Sequence, residues 1–226
     1  MKMIAASDSS VQLVFGEAIT PEISARVLNL FRVLQERQNK HIRNLHPGYV
    51  SLLVDFDPIS VTHEQVFAMI EEALAEETSA HTRMGKLVDV PVCYDEEFGP
   101  DLADVAAHAK LGVEEVVRLH SSAIYDVCFL GFTAGFTYLS GMPKALSMPR
   151  LTTPRRAVAA GSVGIAGAQT GVYPTETPGG WRLIGRTPLR MFDAERSETT
   201  LVLPGDHVRF VSISRDDFDG LREERE

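Results

Sequence analysis

Seven cationic side chains, Lys144, Arg150, Arg155, Arg156, Arg182, Arg186 and Arg190, fall within residues 131–193, where Glu176 and Asp193 are the only carboxylates. The rest of the chain is acidic, for a formal net charge of −9 overall. A cationic segment made mostly of arginine suits planar, bidentate capture of a carboxylate or phosphate. Arginines scattered round a barrel exterior and paired with acidic loops elsewhere account for the composition equally well. The same segment holds 10 of the 17 glycines in 63 of the 226 positions. Such enrichment points to backbone at positive φ, or to backbone pressed close against something else.

What the segment lacks is equally informative. All seven histidines and both cysteines lie outside it. It therefore offers no thiolate nucleophile and no imidazole base, and a metal site there would need mostly oxygen ligands. No GxSxG elbow and no GxxxxGK[ST] phosphate loop occurs in the chain. The GxxGxxG spacing of Gly161, Gly164 and Gly167 is not the dinucleotide fingerprint and reads first as strand, turn and strand. The segment is equipped to hold an anion or an amide but not to move protons alone, which suggests one part of a composite active site. His41, His46, His63, His81, His108, His120 and His207 show no ligand spacing on a shared element, so surface or capping positions are expected for each. The glutamates at 71, 72, 76 and 77 read most simply as a solvated helix face, the alternative being a docking face of the N-terminal domain.

The elements that must position this segment are legible in outline. Residues 11–15 form a strand, and a helix follows with Thr20 as N-cap and Pro21 in its first turn. Its apolar positions Ile23, Val27, Leu30, Phe31 and Leu34 recur at helical spacing. Strands at 41–45 and 49–56 flank a turn at Pro47-Gly48. A second helix over 63–77, capped by Thr62, turns Val66, Ile70, Ala73 and Leu74 inward. With a closing strand at 86–94 the order is β-α-β-β-α-β, a small ferredoxin-like α/β domain over residues 1–90. Residues 91–226 have another texture: helices at 100–110 and 113–120, a strand at 124–132, then short strands punctuated by glycine and proline, as in a barrel. Residues 200–214 predict two strands around Pro204-Gly205, followed by a fraying charged tail. The fold class is α+β.

Composition narrows the setting. With 22 Lys and Arg against 31 Asp and Glu, nucleic acid is not an expected partner. No run of about 18 apolar residues predicts a membrane span, and residues 1–10 do not read as a secretory signal. Cys93 and Cys128 sit in apolar strand-like runs and are expected to be reduced, which points to the cytoplasm.

Several motifs in order resemble one family. They are Gly131-Phe132-Thr133-Ala134-Gly135-Phe136-Thr137-Tyr138-Leu139, Pro149-Arg150 with Pro154-Arg155, and Ala160-Gly161-Ser162-Val163. Gly167-Ala168-Gln169-Thr170-Gly171-Val172-Tyr173-Pro174, Thr177-Pro178-Gly179-Gly180-Trp181 and Gly185-Arg186-Thr187-Pro188 continue the series, with Pro91-Val92-Cys93-Tyr94 and Gly99-Pro100-Asp101-Leu102 upstream. Together they resemble the KipI-like family, also called allophanate hydrolase subunit 1, along nearly the whole chain. The resemblance implies a small N-terminal α/β domain followed by a cyclophilin-like β-barrel. It implies, for a stand-alone chain of this length, the B subunit of a three-subunit 5-oxoprolinase that opens 5-oxo-L-proline to L-glutamate with ATP hydrolysis, Mg being expected with the ATP. Its partners would be a larger homologous C subunit and an A subunit. On this expectation Arg150, Arg155 or Arg186 grips a carboxylate or phosphate, Gln169 meets the amide, and Ser162, Thr170, Tyr138 or Tyr173 supplies further donors. The resemblance also carries alternatives: an inhibitor of a sensor histidine kinase, a partner of a biotin-dependent amidolyase and, ranked last, prolyl isomerisation. One departure is Ala134, where the family usually has proline.

Overall fold

The computed structural model describes residues 1–77 and 85–223 and divides into two units, Met1–Met84 and Gly85–Glu226. In the first, strands β1 (Lys2–Ser7) and β2 (Ser10–Val14) precede helix α1 (Pro21–Glu36), strands β3 (Ile42–Pro47) and β4 (Ser51–Phe56), and helix α2 (His63–Glu77). Thr20 caps α1 by accepting from the Ile23 amide at 3.3 Å. Thr62 and Gln65 exchange backbone and side-chain bonds as a capping box at the start of α2. One face of each helix then buries Val27, Leu30, Phe31 and Leu34, and Val66, Ile70 and Ala73, against Val11, Leu13, Leu52, Val54 and Phe56 of the sheet.

That sheet corrects one expectation. Its order is β1-β2-β4-β3, so the edge beside β2 is occupied by the N-terminal strand β1, antiparallel to it. Strand β5 (Leu87–Val92), expected there as the closing strand, pairs in parallel with β13 (His207–Ser212) in the second unit, from Leu87 opposite His207 to Val92 opposite Ser212. An alternating strand satisfies either edge equally well. The choice rests on a partner some 120 residues away, which local pattern does not carry.

The second unit continues from β5 with helices α3 (Leu102–Ala109) and α4 (Val113–Ser122) and strands β6 (Ile124–Leu130) and β7 (Thr137–Ser140). A 3₁₀ turn (Lys144–Leu146), β8 (Arg155–Val158), β9 (Ser162–Ala166), β10 (Gln169–Val172), β11 (Thr177–Gly179) and β12 (Arg182–Arg186) precede β13 and a final helix α5 (Arg215–Glu223). Seven strands run β12-β9-β10-β7-β6-β13-β5, and β8 and β11 form a separate ribbon. The two sheet edges meet where Cys93 and Arg186 exchange both backbone hydrogen bonds at 2.9 Å, so the sheet is nearly closed into a barrel. Gly164 lies within β9, with Gly161 just before it and Gly167 in the turn to β10, the strand and hairpin turn expected. Cys93 and Cys128 are free and buried.

Two further expectations change. The C-terminal tail is helical to Glu223: Ser214 accepts from the Asp217 amide, and Phe218 is buried against the Phe98 ring with centroids 4.5 Å apart. Of the two strands expected over 200–214 only β13 is regular, Thr200 forming a single bridge with Phe192. Among the described residues no helix is long and apolar enough to cross a membrane.

His120 is fully buried rather than superficial. It lies four residues beyond Val116 on the inward face of α4, a spacing that was readable in the sequence. Thr170 Oγ1 donates to the Gly164 carbonyl at 3.0 Å and so accepts from His120 Nε2–H at 3.0 Å; Nδ1 is left to accept from the Tyr94 hydroxyl at 2.8 Å. Burial lowers the imidazole pKa from 6.5 to about 3. Between those values the unfolded chain binds a proton that the folded chain excludes. Stability is therefore complete above the unfolded value and falls on acidification by up to about 1.4 kcal/mol per pH unit. Urea midpoints measured across that window are expected to fall with pH, and His120→Gln is expected to flatten the slope; an unchanged slope would assign the acid limb to other groups. His81 lies outside the described residues.

Candidate functional site

The glycine-rich segment builds a cavity of about 440 Å³ within the second unit. Its walls are Phe132, Phe136, Tyr138, Arg150, Pro154, Tyr173, the ribbon strand β11, Gly180 and Trp181. Trp181 stands at its centre of packing, edge-on to Phe136 at 5.3 Å and to Tyr138 at 5.9 Å. The indole can lie there because two adjoining sheet positions beneath it, Gly164 and Gly171, are glycine. Gly164, Gly171 and Tyr138 pair across β9, β10 and β7. A Cβ on Gly171 would stand 2.5 Å from the Thr137 carbonyl oxygen, 3.2 Å from the indole and 3.3 Å from the Phe136 ring.

One cation enters this aromatic setting. The Arg150 guanidinium lies 5.9 Å from the Trp181 ring centroid, an attraction worth about 0.5–1 kcal/mol where exposed. Burial pushes the Tyr138 and Tyr173 hydroxyls up, with the Arg150 charge pulling both the other way. Both phenols therefore stay protonated and able to donate. Among the described residues no carboxylate, imidazole, thiol or amine lines the cavity. It can grip an anion and donate hydrogen bonds, but its walls hold no general base near neutrality.

The three arginines singled out by sequence occupy different places. Arg150 lines the cavity. Arg155 turns away to pair with Asp101 at 2.8 Å and to reach the Trp181 carbonyl at 3.4 Å. Asp101 is only 5% exposed and also accepts from the Leu183 amide at 2.7 Å, so this pair ties the start of β12 to the α3 entry. Arg186 lies at the barrel closure, donating from Nε to the Ala160 carbonyl at 2.8 Å, with its guanidinium 5.7 Å from the Phe98 ring; burial, then the Arg222 charge, lowers its pKa. Tyr138 and Tyr173 are brought together in the wall. Ser162 and Thr170 are buried in strands, Thr170 committed to His120, and neither is among the lining residues. Gln169 is half-buried at the start of β10, with the parity of Gly171 and Tyr173 but outside the lining. Trp181 is both a packing group and a wall. Phe132 and the Thr177–Gly179 wall went unremarked as site residues, although aromatics set among glycines were the available signal.

The loop carrying Phe132 has an unusual backbone. Phe132 adopts φ +64°, a region that costs a bulky L-residue about 1–2 kcal/mol. Beyond it, Phe136 N–H donates to the Thr133 carbonyl at 3.0 Å and Gly135 has φ +81°, as at the third position of a type II turn. Ala134 is then the second residue, where the fixed φ of proline fits. Ala134→Pro is expected to stabilise the chain by about 0.4–1 kcal/mol through the unfolded state, read as a higher urea midpoint with unchanged slope. A lower midpoint would mean that the turn differs from this geometry.

The model of the carboxyltransferase domain, subdomain C and D, matches residues 1–202. The chain belongs to this family. Among proteins similar to it, the 5-oxoprolinase B subunit of Bacillus subtilis (strain 168) is 41% identical over 227 residues, covering 96% of this chain and 95% of that protein. The 5-oxoprolinase B subunit of Escherichia coli O157:H7 is 54% identical over 136 residues, 60% of this chain and 62% of its relative. Among solved structures, TTHA0988 superposes with a TM-score of 0.81 at 34% identity, over 91% of this chain and 40% of that one. The chain thus spans less than half of the length of that protein.

Proposed function

We propose that this chain is the B subunit of a 5-oxoprolinase and supplies one wall of a composite site in which 5-oxo-L-proline is opened to L-glutamate with ATP hydrolysis. The observation that carries the reading at the site is Arg150, a guanidinium in an aromatic cavity for which no carboxylate partner is recorded among the described residues. Similarity over nearly the full chain to a protein named as the B subunit of 5-oxoprolinase supports it.

The chemistry divides naturally between the proteins of such a complex. 5-Oxoproline presents a carboxylate, suited to the Arg150 fork, and a lactam carbonyl within reach of a protonated phenol such as Tyr138. The apolar walls exclude water around the ring and strengthen both contacts. Magnesium-bound ATP fits this cavity poorly. One guanidinium faces it, and among the described lining residues no carboxylate is present to hold Mg²⁺. Nucleotide binding and proton transfer are therefore assigned to the C and A subunits. Free, buried thiols at Cys93 and Cys128 suit a cytoplasmic setting.

The test is reconstitution. This chain is combined with the C and A subunits, and ATP-dependent release of glutamate from 5-oxoproline is followed. Turnover is expected only in the complete mixture. Full activity without this chain, or turnover by this chain alone, overturns the reading.

A further inference from the structure

Phe132 combines two features that folding by itself opposes. Its φ of +64° is unfavourable for a bulky L-residue, and its side chain is 63% exposed to water at the rim of the cavity. The arrangement is nonetheless well fixed. Thr133 N–H donates to the Gly131 carbonyl at 2.7 Å, Gly131 N–H donates to the Phe136 carbonyl at 3.1 Å, and the Phe132 ring meets Phe136 edge-on at 5.6 Å. Backbone strain that the surroundings over-determine, at the edge of a site, is a mark of function.

The exposure selects the kind of ligand. A small molecule inside the cavity touches only the edge of the ring that faces inward; covering the outward part takes a macromolecular surface. An exposed, rigid aromatic is also the residue type that anchors protein interfaces. The charges beside the mouth are two cations against one exposed carboxylate, Glu176, directly before β11. Arg150 is in the cavity wall, and Arg156 is exposed on β8, in the ribbon whose other strand, β11, forms part of that wall; neither has a recorded carboxylate partner among the described residues. In TTHA0988 the matched part is 40% of the chain, so that protein joins further polypeptide to this fold.

We infer that Phe132 is the anchor by which this chain docks on the larger companion protein, the C subunit, entering an apolar socket in an acidic surface and closing the mouth of the cavity. The inference rests on the 5-oxoprolinase reading, because it names the partner of that same site. Docking there also accounts for an open cavity that grips but lacks a base: the missing groups arrive with the protein that covers it.

Association of the intact chain with the purified C subunit, followed by biolayer interferometry, tests this alongside thermal melting of the chain alone. Phe132→Gly is expected to raise the melting temperature by about 2–4 °C, since glycine takes positive φ freely, while weakening association by roughly tenfold or more. Phe132→Ala keeps the strained backbone without the ring and is expected to weaken association to the same extent with no melting gain. Association of the wild-type chain is expected to fall as ionic strength rises. Undiminished association of Phe132→Gly overturns the anchor and leaves the 5-oxoprolinase reading intact. A lower melting temperature in both variants assigns the ring to the fold and also overturns it. Failure of the wild-type chain to bind the C subunit overturns both.

Discussion

Arg150→Ala is expected to lower glutamate formation by the reconstituted complex by about 10²-fold in kcat/KM, while the isolated chain melts within about 2 °C of the wild type. The size follows from removing a charge-assisted grip in a largely apolar site, which typically costs two to three orders of magnitude. The small effect on stability follows from exposure: among the described residues Arg150 makes one cation–π contact and no ion pair. Arg150→Lys keeps the charge but not the planar fork and should fall between the two. Arg155→Ala is the contrasting case. It leaves the buried Asp101 carboxylate without its cation, and because Arg155 is itself partly exposed the cost should be about 1–3 kcal/mol rather than the full penalty of a buried pair. Steady-state kinetics and melting curves on both variants separate a gripping arginine from a structural one. Equal turnover by Arg150→Ala and wild type would remove Arg150 from the site.

Gly171→Ala should be the most damaging small substitution in the cavity. The added methyl meets a backbone oxygen, Thr137 O, at 2.5 Å, and a backbone cannot rotate aside as a side chain can. Strands β7 and β10 must part locally, and the indole and Phe136 ring, 3.2 and 3.3 Å from the new carbon, must lift. Overpacking of this kind costs about 3 kcal/mol, or a melting temperature lower by about 6–12 °C in a chain of this size. Trp181 is the only tryptophan, so its fluorescence reports the cavity directly, and a red shift is expected as the ring becomes wetter. Unchanged emission and melting would show that the indole does not rest on Gly171.

How far the sequence reached can be argued from particular residues. Helix α1 was legible because Thr20, Pro21 and the run Ile23, Val27, Leu30, Phe31 and Leu34 are local signals, each within four residues of the next, and the structure caps the helix with Thr20 and buries Val27, Leu30, Phe31 and Leu34. The partner of β5 was not legible, because pairing with β13 spans 120 residues and either sheet accepts the same alternation. Strand β1 was missed for a related reason: its residues are nearly all exposed, so no hydrophobic periodicity marks it. Helix α5 escaped because a single buried residue, Phe218, holds it to the core.

The site divides along the same line. From sequence came the segment, its arginine excess, its glycines and its want of a proton-transfer group, since these are matters of residue type and count. Only the tertiary structure decided that Arg150 turns to Trp181, that Arg155 is spent on Asp101, and that Thr170 belongs to a buried histidine. Three arginines of the same chemistry are distinguished by what long-range strand pairing brings beside them. Side-chain type sets what a residue can bind; the register of distant strands sets what it meets.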